Sequence, residues 1–231
     1  MTVATDPIED FGSYQVAVVL FGGGSSMIVD VEESCARLGL DIAAIVKNVE
    51  GPDHALARAR IIRADHVGPA LTSCPYMVPI FTPGHRLAAH REAGARGFGQ
   101  ATAIVDPTAV VASSAVIGAG TYVNAGAVIA GAAKIGTFVF INRSASIGHH
   151  VEVDDFASIG PGAVLCGEVR LSRGAVVGAG AVVLPAVAVG SNAVVAAGAV
   201  VRESVPDHCL VAGNPARVVK TDYAGFRNLS V

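Results

Sequence analysis

From Val105 onward the chain keeps a period of six. Every sixth residue from Val105 to Val201 is aliphatic, seventeen positions without a miss. Two residues before each of them the side chain is small or β-branched, as at Ala109, Thr121, Ala133 and Ala199. Just after it stands a frequent turn-former such as Gly118, Asn124, Gly148 or Asp154. An α-helix, at 3.6 residues per turn, cannot hold one face at a spacing of six, and a hairpin strand alternates at two with no regular corner. Short strands joined by tight corners satisfy the pattern. The aliphatic residue points inward, the small one fits beside it, and Gly, Asn or Asp accepts the backbone of the corner. One such coil cannot bury its interior, whereas a stack can. The phase never breaks, so no long loop interrupts the stack. The pattern predicts an all-β coil of five to six turns over residues 100–206, followed by a tail at 207–231.

Residues 14–99 lack this period. Gln15–Phe21 reads as a buried strand, and Gly22 to Ser26 follow as a Gly/Ser loop. Met27–Leu38 reads as a helix and Asp41–Val46 as a second buried strand. This β–Gly-loop–α–β order is a half-Rossmann unit, an α/β domain with phosphate or sugar expected at Gly23, Gly24, Ser25 and Ser26 and at the helix N-terminus. The same glycines would equally serve a turn needed only for packing. Met77–Phe81 predicts another strand and Arg86–Ala95 a helix. Residues 1–13 predict a flexible N-terminus, acidic and without an apolar core, hence no signal peptide.

Charge and composition remove several classes. A net charge of −3 and a pI near 6.1 argue against nucleic acid or an anionic membrane as a partner. The stretch from Gly174 to Val201 carries no charge and is long enough to span a bilayer. Its glycines, Pro185 and the six-residue period belong instead to the coil, so no membrane segment is expected. The four cysteines (Cys35, Cys74, Cys166, Cys209) form no CxxC pair and predict reduced thiols in the cytoplasm.

The hexapeptide pattern resembles the left-handed parallel β-helix acyltransferases, whose coils use three hexapeptides each. The tail VAGNPARVVK at Val211–Lys220 is similar to that of many acetyl-CoA-dependent members. A small Rossmann-like domain, then HRLAAHREAGARGFGQATAIVDPTAVV, then the coil resembles the sugar O-acyltransferase group. That group includes sialic acid O-acetyltransferases and N-acetyltransferases acting on nucleotide-linked 4-amino sugars. The resemblance implies an acetyltransferase using acetyl-CoA as co-substrate on a nucleotide-linked amino sugar, for surface polysaccharide or glycan synthesis. A sialic-acid-type O-acetyltransferase and a non-catalytic trimeric β-helix scaffold are the alternatives.

Acetyl transfer needs a base, a donor for the oxyanion and a channel for the thioester. The coil holds only two histidines, His149 and His150, in SIGHHVEV. The family's proposed base matches His149, and the backbone N–H that the family offers to the thioester carbonyl matches Gly167, one coil later. With no further His in the coil, no metal is expected. Where many members follow the base with an acid, this chain has His150, a candidate for contact with the acceptor. Asn142 matches an Asn that faces the acceptor sugar in relatives. Ser158, Ala179 and Ala197 match positions along the CoA groove, and Arg217 and Lys220 could meet CoA phosphates. At the end of the second strand Lys47 and Asn48 stand where some relatives carry acids that meet the nucleotide base, and Ser26 replaces a His that approaches the diphosphate. The uncharged run to Val201 is too apolar to leave bare in water, which predicts a closed cyclic assembly, and the resemblance implies a homotrimer with coils side by side.

Overall fold

A computed structural model describes residues 17–231. The expected flexible stretch 1–13 and the first residues of the expected α/β domain and strand, 14–16, lie outside the described residues. Strand β1 (Ala17–Phe21) lies between β2 (Asp41–Lys47) and β4 (Tyr76–Met77), with β3 (Ile61–Arg63) beyond β2, all pairs parallel. Val18 through Phe21 are fully buried, as the unbroken apolar run requires of a strand covered on both faces. Helix α1 (Ile28–Leu38) buries Ile28, Val31 and Cys35 on one side of this sheet, and Gly39 ends it in the left-handed conformation. Burial pushes the Cys35 thiol up to about 12, so it acts as a core side chain. A single helical turn, α2 (Pro69–Thr72), precedes β4, and helix α3 (Pro83–Ala95) follows it. The strand expected at Met77–Phe81 is only two residues long. Helix α3 starts three residues before the expected Arg86, because Pro83 supplies a first helical residue that needs no N–H partner.

The coil is a left-handed parallel β-helix. Each strand pairs with the one eighteen residues on: Phe140 with Ser158, Ser146 with Val164, Glu152 with Arg170. Three flat faces result, with eight, six and five strands. The second strand residue points inward at every rung, and Ile129, Ile141, Ile147, Ile159, Leu165, Val177 and Val183 are all 1 % exposed or less. Each such side chain contributes about 1.5–3 kcal/mol of burial, and only the neighbouring rungs make that burial possible.

The corners correct one detail of the sequence reading. The left-handed residue, where there is one, is the third of the corner, as at Ser144, His150 and Glu168. The first corner residue is Gly for a different reason. A Cβ on Gly148 would lie 2.7 Å from the backbone of Cys166 and Gly167 on the next coil. Close approach of stacked backbone, not a left-handed φ, excludes a side chain there.

The outward residues give each face its task. On the first face Ile104, Tyr122, Phe140 and Ser158 are buried beneath the N-terminal domain. On the third, Lys134, Glu152 and Arg170 form a solvated ladder of ion pairs at 3.1 and 3.6 Å. The second face presents Val110 (64 % exposed), Val128 (44 %), Val164, Val182 and Val200, with no charge between them. No helix among the described residues is long and apolar enough to cross a membrane.

Candidate active site

Below Ser158 the N-terminal domain no longer covers the first face, and a cleft of about 900 Å³ opens. Val176 and Val194 form its floor. The corner residues Gly160, Gly178, Ala179 and Ala197 form one wall; the Gly loop, Ile80, Phe81 and His85 form the roof. The mostly apolar lining, with a few convergent polar groups, is the usual make-up of a small-molecule site.

Two buried polar knots fix the roof on the coil. Arg86 is 1 % exposed and has no carboxylate partner among the described residues. It donates to the carbonyls of Ile80 and Phe81 on the roof and to those of Phe138, Phe156 and Ala157 on the coil, and to Ser158 Oγ, over 2.5–3.0 Å. Burial lowers its guanidinium to about 9, still charged at neutral pH. The second knot joins α1 to the first coil. Asp106, wholly buried, accepts from Ser34 Oγ at 2.6 Å and from Arg37 Nη2 at 2.6 Å, and Ser34 Oγ also meets Tyr122 Oη at 2.8 Å. Burial alone would raise the Asp106 carboxyl. The hydrogen bonds from Arg37, Ser34 and Thr108 outweigh it and hold the group far below the usual carboxylate range.

The Gly loop divides into two parts. The N–H groups of Gly22 and Gly23 both donate to Val46 O at 2.9 Å. A Cβ on Gly23 would lie 2.8 Å from Ile45, and Gly23 does not line the cleft. Gly23 is therefore a packing glycine rather than a ligand contact. Gly24, Ser25 and Ser26 do line the cleft. The N–H groups of Gly24 and Ser26 make no hydrogen bond among the described residues. Lys47 turns away: its ammonium meets Asp53 and the Gly51 carbonyl at 2.5 Å, in a separate depression, and lowers the Asp53 carboxyl. Asn48 instead faces the cleft. Its Nδ2 donates to Glu92 at 2.8 Å, and its buried Oδ1 has no partner among the described residues.

His149 and Gly167 occupy the same corner on successive coils. A Cβ on Gly167 would lie 2.5 Å from His149 Cε1 and 2.6 Å from its Nε2, so the imidazole lies directly over this residue. Gly167 N–H makes no hydrogen bond among the described residues. His149 Nδ1 meets His150 Nδ1 at 3.1 Å, and both rings are exposed. A proton on His149 Nδ1 shared with His150 leaves Nε2 free to accept another, the arrangement a general base needs. His150 is thus placed as the orienting partner that an acid would otherwise supply. This pair is one corner away from the cleft, separated from it by the width of the second face.

Asn142 lines the cleft. Its Oδ1 accepts from Asn124 and from Arg143 N–H, while its Nδ2 has no protein partner among the described residues. Ala179 and Ala197 are exposed at the cleft wall, and their N–H groups are likewise unbonded among the described residues. Ser158 is withdrawn: it is fully buried, accepting from Arg86 and donating to Phe81 O at 2.6 Å, so no ligand reaches it. Arg217 and Lys220 lie outside the cleft on the last hairpin, where Lys220 stacks over Tyr223 at 5.0 Å. The sequence reading missed His85, Phe226 and Arg227, which the cleft brings together from α3 and the tail. No spacing rule links these segments to the coil. Among the described residues no group of three or more His, Cys, Asp or Glu side chains is arranged to hold a metal.

No family model and no curated protein sequence matches this chain. Solved structures do. The perosamine N-acetyltransferase PerB from Caulobacter crescentus, solved with CoA and GDP-perosamine, is 32 % identical, with a TM-score of 0.79 over 88 % of this chain and 97 % of PerB. The acetyltransferase domain of PglB from Neisseria gonorrhoeae, solved with acetyl coenzyme A, is 28 % identical, with a TM-score of 0.77 over 89 % of this chain and all of that domain. WeeI from Acinetobacter baumannii shares the fold at 23 % identity and a TM-score of 0.71, over 88 % of this chain and 99 % of WeeI. The period of six, the Rossmann-like domain bolted to its first face and the near end-to-end likeness to PerB agree: the chain belongs to the hexapeptide-repeat nucleotide-amino-sugar N-acetyltransferases.

Proposed function

We propose that the protein transfers the acetyl group of acetyl-CoA to the amine of a nucleotide-linked amino sugar in the cytoplasm. The observation that carries this reading is the stacking of the His149 imidazole on Gly167, whose N–H is unbonded. His149 Nε2 takes the amine proton as the new C–N bond forms. Gly167 N–H donates to the carbonyl oxygen as that oxygen gains charge. The C–S bond then breaks, and His149 returns the proton to the departing thiolate. The unbonded amides of Ala179 and Ala197 and their small side chains suit a pantetheine arm, and Asn142 Nδ2 suits a sugar hydroxyl.

The likeness to PerB, solved with GDP-perosamine, supports a GDP-linked acceptor. Gly24 and Ser26 N–H groups suit its phosphates.

The base must reach this cleft from another copy. Three prisms that turn their apolar second faces toward a common axis bring unlike corners together. The corner carrying His149 and Gly167 on one chain then meets the corner carrying Ala179 and Ala197 on the next. A homotrimer both covers the exposed valines and completes the site. Mass spectrometry of GDP-, UDP- and dTDP-linked amino sugars incubated with the enzyme and acetyl-CoA tests the activity. A GDP-linked product heavier by one acetyl group is expected; no acetylation of any of them would refute the reading. Light scattering should give about three times the 23.2 kDa chain mass.

A further inference from the structure

The chain does not end at the coil. Its last residues fold back, and Phe226 and Arg227 line the cleft. Tyr223 N–H donates to His208 O at 2.8 Å at the start of this segment. Phe226 meets Phe81 of the roof edge-on, with ring centroids 6.0 Å apart. Leu229 seats against Gly84, where a Cβ would lie 2.6 Å from the leucine Cβ. Val231 N–H donates at 2.8 Å to the buried Asn192 on the coil. The turn is held from both domains, and between these anchors Arg227 and Asn228 take left-handed backbone angles, with φ of 58° and 59°. Such conformations cost about 1–3 kcal/mol each and persist only where the surroundings impose them.

The turn aims Arg227 into the cleft. Its guanidinium makes no ion pair among the described residues, its one chance of charge pairing in the lining being Glu92. Glu92 is already engaged by Arg96 at 2.9 Å and by Asn48 at 2.8 Å. The cleft therefore carries one uncompensated cation at its exposed edge, a donor of charge-assisted hydrogen bonds. We propose that Arg227 is a diphosphate contact of this cleft, beside the Gly24 and Ser26 N–H groups, and that the C-terminal turn exists to present it. The inference rests on the reading above, in which both substrates, nucleotide sugar and CoA, carry a diphosphate.

The test is calorimetric titration of the full-length protein and its Arg227→Gln and Arg227→Lys variants with GDP and, separately, with CoA. Arg227→Gln should weaken one or both ligands by about tenfold or more at unchanged melting temperature, the usual scale for a charged hydrogen bond. Arg227→Lys should recover part of the loss, and the ligand that weakens identifies which diphosphate Arg227 meets. Wild-type protein that binds both ligands, with Arg227→Gln binding both equally well, would overturn the Arg227 assignment alone. Wild-type protein that binds neither would overturn the substrate reading and this inference with it.

Discussion

The coil corner and the cleft roof are built by opposite means. His149 and Gly167 stand one over the other because the repeat returns to the same corner every eighteen residues, and every inward side chain supports that register. Gly24, Asn48 and Phe81 share a roof because a separate domain packs on Tyr122, Phe140, Phe138 and Phe156 of the coil and is fastened there by Arg86 and Asp106. The corner is thus held by many small apolar contributions, none of them decisive. The roof depends on a few buried polar groups, each with several partners that would be orphaned together. A site made this way separates the chemistry from the choice of acceptor. On the proposed reading, the corner carries out acyl transfer and the roof selects the acceptor.

That contrast can be broken at either end. The largest effect is expected from Gly167→Val. Its side chain would occupy the space of the His149 ring, which can swing away, so the fold survives while acetyl transfer is abolished. Normal turnover with an unchanged circular dichroism spectrum would show that the acetyl group sits elsewhere. His149→Ala should lower kcat by about 10²-fold or more, the usual scale for losing a positioned base, and His150→Ala should lower it less. Steady-state kinetics with His149→Ala near wild type would remove it as the base.

The roof should respond in stability and acceptor affinity instead. Arg86→Met leaves the carbonyls of Ile80, Phe138 and Phe156 with no donor among the described residues and should cost about 3 kcal/mol or more in urea denaturation. It should also raise KM for the acceptor more than it lowers kcat. Equal stability would mean that Arg86 is not what fastens the two domains. The smallest effect concerns acid. The Asp106 carboxyl is held low in the folded state, so the stability it contributes is full above the ordinary carboxylate range. That stability fades as pH falls through about 4 toward its depressed value. Asp106→Asn should flatten the acid limb of melting temperature against pH, and an unchanged limb would assign acid sensitivity to another group.

The same contrast explains what could be read in advance. The coil was legible because its core is periodic: one aliphatic position in six fixes strands, faces and corners, and hence the shared corner of His149 and Gly167. The Gly loop was legible as a loop, yet Gly23 and Gly24 look alike in sequence. Both are crowded by a neighbouring side chain, but only Gly23 gives its N–H to the Val46 carbonyl, while Gly24 keeps its N–H at the cleft. Ser158 matched a groove position of the family it resembles, but Arg86, arriving from a helix seventy-two residues earlier, buries it. Lys47 was named for its place at a strand end, and a local partner, Asp53, draws it away. Phe226 and Arg227 carry no periodic signal, since their position depends on where the tail folds back.

The central claim is that cleft and base belong to different chains of one assembly. Mixed oligomers test it most directly. His149→Ala lacks the base, and Ser26→Trp fills the cleft, so each variant alone should be inactive. Unfolded together and refolded as a mixture, they should regain acetyl transfer, because an intact His149 on one chain then meets an intact cleft on its neighbour. A mixture that forms hybrid trimers and remains as inactive as its parents would contradict the shared site.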